Sequence, residues 1–144
     1  MLKDSICAGI GIIGSGIAAL FGGWDAALLT LLIAMGVDYI TGLIVAGVFH
    51  HSSKTAGGAL ESSAGWKGLC KKGVTLLVVL VACRLDLLMG SSFLRDAVII
   101  AFVANEVLSI VENAGLMGVR IPKVITDAIE VLKKKSEGEE SRNG

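Results

Sequence analysis

Residues 5–24 contain no formal charge, and the 26–49 stretch that follows contains only one, Asp38. A helix rising ~1.5 Å per residue spans one bilayer hydrocarbon core, about 30 Å, in about 20 residues. Two such runs in succession constrain the chain more than any other feature. They predict two membrane-crossing helices, and they pose the problem of one carboxylate placed midway along the second.

The remaining composition agrees with this. Mean hydropathy is +0.76, and only 18% of the 144 residues are charged. Net charge is zero, so no basic surface for nucleic acid is expected. Charges cluster at 3–4, 54–72, 84–96 and from 106 onward, which is the pattern of a polytopic membrane protein. The N-terminal run continues directly into the second run and carries Asp4 beside Lys3, so it reads as a retained first span and not a cleaved leader. Cys7, Cys70 and Cys83 are odd in number and form no CxxC motif, so no disulfide framework or metal site is expected.

The spacing predicts an all-α integral membrane protein with about four spans, near 5–24, 26–49, 69–89 and 97–113. A polar loop is expected at 50–68. Together these make a transmembrane domain over 1–115. Trp24 and the histidine pair His50 and His51 suit membrane interfaces. Lys71 and Lys72 are expected to snorkel from the third span toward the headgroups. Residues 116–135 read as an amphipathic helix with Ile121, Ile125, Ala128, Ile129 and Leu132 on one face, and 136–144 as a disordered charged tail. Placing Lys3, Lys54, Lys67, Lys71, Lys72 and the six basic residues after 116 on one side puts 11 of 13 Lys and Arg there. The positive-inside rule then gives four spans of a bacterial cytoplasmic membrane with both termini in the cytoplasm.

Two features could hold helices together in lipid. On the first span, Gly11, Ser15, Ala19 and Gly23 recur every fourth residue, flanked by Gly14, Ala18 and Gly22. Such a small-residue stripe lets helix backbones approach closely, within one bundle or between copies. The second feature is polar. Asp38 is accompanied by Tyr39, Thr41 and Gly42, while the fourth span carries Asn105, Glu106, Ser109, Glu112 and Asn113. Asp38 and Glu106 come to similar depth, where an ionised carboxylate costs about 2.5–3.5 kcal/mol even on the lenient insertion scales. They therefore face the bundle interior or water, or are protonated. Two readings stand: interhelical hydrogen bonding in a closed bundle, or a water-lining or proton-relay role. No GxSxG, HExxH or phosphate-binding loop is present, so neither an enzyme nor a cofactor site is expected.

The stretches "GGWDAALLTLLIAMGVDYITGLIVAG", "GWKGLCKKG" and "NEVLSIVENAGLMGVRIPKVI" occur in this order and cover most of residues 20–125. On these residues the chain resembles the phage holin family that includes the holin-like proteins of clostridial toxin-secretion loci. The resemblance implies a small membrane protein that oligomerises in the cytoplasmic membrane. It opens lesions through which a cell-wall hydrolase (an endolysin) or an exported toxin leaves, without necessarily touching it. The resemblance also places Asp38, Tyr39, Thr41 and Gly42 in the family's second-span motif. Asn105, Glu106, Ser109, Glu112, Asn113 and Gly115 fall in its fourth-span motif. The loop from His50 to Trp66 departs from the family pattern by being longer and richer in Ala and Gly. Two other functions fit the residues alone: a small ion or solute transporter built around Asp38 and Glu106, and a non-pore scaffold acting through the 121–135 helix.

Overall fold

A computed structural model describes residues 1–142. Among the described residues the chain forms five α-helices and no strand: α1 Leu2–Leu20, α2 Ala26–Ile44, α3 Ser62–Met89, α4 Phe93–Leu116 and α5 Lys123–Arg142. A single π-helical turn, Val45–Phe49, extends α2. By length and hydropathy, Leu2–Leu20 and Ala26–Phe49 are apolar enough to cross a membrane. α3 and α4 are long enough, but charged residues dilute their hydropathy.

The core follows from one repeated sequence pattern. On α2, Leu28, Leu31, Met35, Asp38, Gly42 and Val45 follow at alternating three- and four-residue steps; all but the half-buried Gly42 are buried. On α3 the same steps join Lys72, Leu76, Val79, Cys83 and Asp86, and on α4 they join Arg95, Ile99, Phe102, Glu106, Ser109 and Asn113. This spacing keeps one narrow stripe of each helix turned toward its neighbours. Leu31, Met35, Val79, Ile99 and Val103 interlock into the dry centre of the bundle. The charged members of the stripes fall above and below that layer.

The turns set the helix directions. α1 ends at Gly22 and Gly23, whose φ values of 84° and 93° are open only to glycine without strain. Gly23 N–H returns to the Ala18 carbonyl at 2.8 Å. α2 starts at Asp25, whose carboxylate accepts from Leu28 N–H at 2.9 Å and caps the new helix. α3 ends at Gly90, also left-handed. The 21–25 and 90–92 turns lie at the same end of the bundle, so α2 and α4 run parallel, with α3 antiparallel to both. α2 packs most extensively on α4, and α1 rests lightly on α3, burying only Ala18.

Several boundaries differ from the sequence expectation. The first helix stops at Leu20, so Gly22 and Gly23 belong to the turn and not to the helical stripe. The helix begins seven residues earlier than the expected third span, at Ser62, so the loop is only 50–61. Gly and Ser lower helix propensity there, but packing overrides it. α5 continues through the expected disordered segment to Arg142, because Lys, Glu and Arg are adequate helix formers; residues 143–144 lie outside the described residues. α5 packs against α4 and buries Ile129.

The dry layer should carry most of the stability. Ile99→Ala should cost about 2–5 kcal/mol, whereas Ile13→Ala on the outward face of α1 should change stability by less than about 0.5 kcal/mol. Reversible unfolding in mixed micelles, followed by circular dichroism, measures both.

Candidate functional site

Asp38 lies 13 residues beyond Asp25 along α2, Glu106 lies 11 beyond Arg95 along α4, and Lys72 lies 14 before Asp86 along α3. With the turns aligned, all three reach the same level. The Lys72 ammonium donates to Asp38 Oδ2 at 2.7 Å and to Glu106 Oε2 at 2.6 Å. The side chains are little exposed: 15% for Lys72, 6% for Asp38 and 15% for Glu106. One ammonium thus bridges carboxylates from two other helices, and Lys72 points inward, not out to the headgroups as the sequence suggested. The reason is the α3 stripe, on which Lys72 and not Lys71 stands in line with Val79 and Cys83.

The remaining lone pairs of Asp38 are met from α4. Asn113 Nδ2 donates to Asp38 Oδ1 at 3.2 Å and to Thr41 Oγ1 at 2.9 Å. The Thr41 hydroxyl donates in turn to the Val37 carbonyl at 2.8 Å. Gly42 lies beside this amide; a Cβ there would sit 3.8 Å from Asn113 Nδ2, an ordinary contact. Tyr39 is half-buried, with its hydroxyl beside Gly65 of α3.

Asn105 and Glu112 do not join the bridge, whereas the Ser109 side chain lies beside Asp38. All three line a polar cavity of about 580 Å³ together with Lys54, Lys67 and Lys71, and Asp38, Glu106 and Lys72 form its inner wall. The cavity lies on the side of the bridge away from the 21–25 turn. The dry layer around Leu31, Val79 and Ile99 closes the other side. Of the α1 stripe, Gly11, Ser15 and Ala19 are exposed, Gly14 is half-buried and Ala18 is buried. Added Cβ atoms at Gly11 or Gly14 would meet nothing within 4 Å.

A second polar cluster was not singled out from the sequence. Arg95, 7% exposed, donates from Nη1 to Asp25 Oδ2 and from Nε to the Phe21 carbonyl, both at 2.7 Å. Buried Asp86 accepts from Arg95 N–H at 2.7 Å and from the Ser91 hydroxyl at 2.8 Å, capping α4 from the end of α3. Arg95 therefore ties the end of α1, the start of α2 and the start of α4. Its signal in the sequence was the presence of Asp25, Asp86 and Arg95 at equivalent ends of three apolar segments.

These features define a class: an all-helical bundle with an apolar exterior, a charged bridge at its centre and an ionic knot at one end. The chain belongs to the bacteriophage holin family, whose model matches residues 15–134, and membrane localisation follows from that membership. It is 36% identical to a probable holin of Bacillus phage phi105, over 83% of each chain. An uncharacterized protein of Listeria innocua is 37% identical over 93% of this chain and 92% of its own. An uncharacterized 14.9 kDa protein in the nagH 3' region of Clostridium perfringens is 37% identical over 88% and 92% respectively. No solved structure matches.

The two polar clusters should respond differently to perturbation. Lys72→Met leaves two facing carboxylates without their cation and should destabilise the bundle by about 3–5 kcal/mol. Adding Asp38→Asn and Glu106→Gln to that variant should recover most of the loss, as a thermodynamic cycle in micelles would show. At the knot, the hydrogen bond from Arg95, aided by Leu28 N–H, holds the Asp25 carboxyl below its ordinary value. A lowered carboxyl contributes stability above the unfolded pKa, about 3.9, and loses it as pH falls through the folded value. Melting temperature should thus hold between neutrality and about pH 5 and fall below about pH 4. Asp25→Asn should flatten that part of the profile.

Proposed function

We propose that the chain is a holin that crosses the cytoplasmic membrane four times with both ends inside. In this reading it gathers into oligomers there and opens lesions that release a cell-wall hydrolase or an exported toxin. It is not itself the hydrolase. The observation that carries the reading is the inverted polarity of the bundle. Ile10, Ile12, Ile13 and Ile17 of α1 and Leu77, Val81 and Leu88 of α3 face outward, while Asp38, Lys72, Glu106 and Asn113 face inward. Water would reject that exterior, whereas acyl chains accept it.

The polar bridge supplies a reason for delayed action. A lone protomer satisfies Asp38, Lys72, Glu106 and Asn113 internally and presents an apolar outside. The bridge can be exchanged for water only if other polar faces line the same hole, because ionised groups facing lipid are costly. The exposed Gly11, Ser15 and Ala19 surface of α1 permits the close helix approach that crowding requires. Lesions therefore open above a threshold density, at which many protomers turn their α2 and α4 polar faces toward shared water.

The cavity reaching the bridge from one side favours a second reading, a small-ion transporter. The two differ in what passes. A lesion-forming holin expressed alone releases a folded cytoplasmic enzyme together with small dyes; a transporter gives ion-selective flux and retains both. Asp38→Asn with Glu106→Gln removes both carboxylates while keeping their shape. In induced cells the double substitution should shift the onset of enzyme release by severalfold in time. Unchanged onset would remove the carboxylates from the mechanism.

A further inference from the structure

The loop between α2 and α3, residues 50–61, reads "HHSSKTAGGALE", a composition suited to a slack linker. It is instead folded. The π turn ends at His50 in the left-handed region, φ 54°, a conformation uncommon outside glycine. His51 N–H donates to the Val45 carbonyl at 3.1 Å, and Ser52 N–H donates to the Gly58 carbonyl at 3.0 Å. Gly58 has φ +74°, and a Cβ there would stand 2.3 Å from the His50 carbonyl oxygen. Two left-handed residues are thus pressed together, and only glycine fits the second position. Leu60 seats against the π turn, within 3.9 Å of where a Gly47 Cβ would be.

This folded loop lies over the Asp38 face of α2. It walls a small cavity, about 60 Å³, whose far side is Asp38, Tyr39, Gly42 and Ala46. Thr55 faces the same cavity, and its hydroxyl is buried without a partner. Lys54 lines both this cavity and the large one. The charge count makes the position matter. By formal count Asp38, Glu106 and Lys72 carry one net negative charge. Lys54 is exposed and lines the same two cavities as Asp38, which puts a positive charge on their shared wall from a segment outside the helices. The backbone hydrogen bonds of residues 52–60 run within the loop, so that stretch can lift without breaking a helix, and its departure uncovers the Asp38–Ala46 face of α2 and takes Lys54 off the cavity wall.

We infer, on the lesion-forming reading given above, that loop 50–61 is a latch. Seated on α2, with Lys54 on the cavity wall it shares with Asp38, it keeps the α2 face beside the bridge covered; lifted, it frees the α2 and α4 polar faces to turn toward water and neighbouring copies. Gly58 and Lys54 therefore set the density at which lesions open, although neither lies in the bridge.

The test uses the full chain with Cys7, Cys70 and Cys83 changed to Ser, reconstituted in vesicles loaded with a dye and a folded enzyme. Gly58→Ala and Lys54→Gln should each release the enzyme at a protein density lower by about fivefold or more, and Lys54→Arg should match the parent. In a Gly47→Cys, Leu60→Cys pair, a short reducible bis-maleimide should tie the loop down. It should raise the required density by a similar factor, and reduction should restore release. The latch is overturned if the tied and untied pairs release at the same density, or if Lys54→Gln and Gly58→Ala both match the parent. Vesicles that keep the enzyme with parent and variants alike would overturn the lesion-forming reading and the latch together.

Discussion

The contact on which the remaining structure depends is one ammonium shared by two carboxylates. Lys72 comes from α3, Asp38 from α2 and Glu106 from α4, so a single cation joins three helices at one depth. Removing an ion from water into a medium of low dielectric costs several kcal/mol even after relaxation. The cost is met only where geometry is good and leftover lone pairs are filled. Both conditions hold: the two contacts are short, and Asn113 fills the free side of Asp38. The arrangement is also specific. A one-residue rotation of any of the three helices would turn a charge into lipid, so the bridge fixes helix register where apolar packing alone would not.

The bridge has a counterpart at the far end. Arg95 fixes the 21–25 turn against the start of α4, and Asp86 holds α4 to α3. Between the two clusters lies the dry layer of Leu31, Met35, Val79, Ile99 and Val103. Along its axis the protomer therefore has an open polar cavity, a charged bridge, an apolar seal and an ionic knot. The seal blocks passage through a single protomer. On the lesion-forming reading proposed above, a hole wide enough for a folded protein would form between copies and not through one. α1, which is the least buried helix and the one with small residues outward, is placed to adapt to such neighbours.

The first two helices were legible because nothing in residues 5–24 competes with lipid and only Asp38 does in 26–49. Paired positions on separate helices were legible only in part. The match in depth of Asp38 and Glu106 could be counted from Asp25 and Asp96, but the cation between them could not. Lys71 and Lys72 are consecutive, about 100° apart around a helix, and composition does not say which one turns inward. The alternating stripe of Lys72, Leu76, Val79, Cys83 and Asp86 does say so, once Asp86 is treated as a core position and not as an interruption of a span. The same oversight hid the knot. Residue order alone does not separate a solvated charge near a span end from a packed one, and the fold uses Arg95 and Asp86 as packing residues. The folded state of loop 50–61 left even less trace, because His50 in a left-handed conformation and the contact with Gly58 depend on the π turn.

The π turn itself has a physical consequence for the site. It adds one residue per turn to the end of α2, which swings His50 and the loop back over the Asp38 face instead of away from the bundle. An uninterrupted α-helix would carry the same residues around the axis by a different angle and leave the cavity beside Asp38 without its outer wall. The extra residue in that turn thus links a backbone irregularity to the covering of the Asp38 face. Within one family, loops of different length after this turn would then tune how firmly the bridge is covered, while the helices and their stripes stay the same.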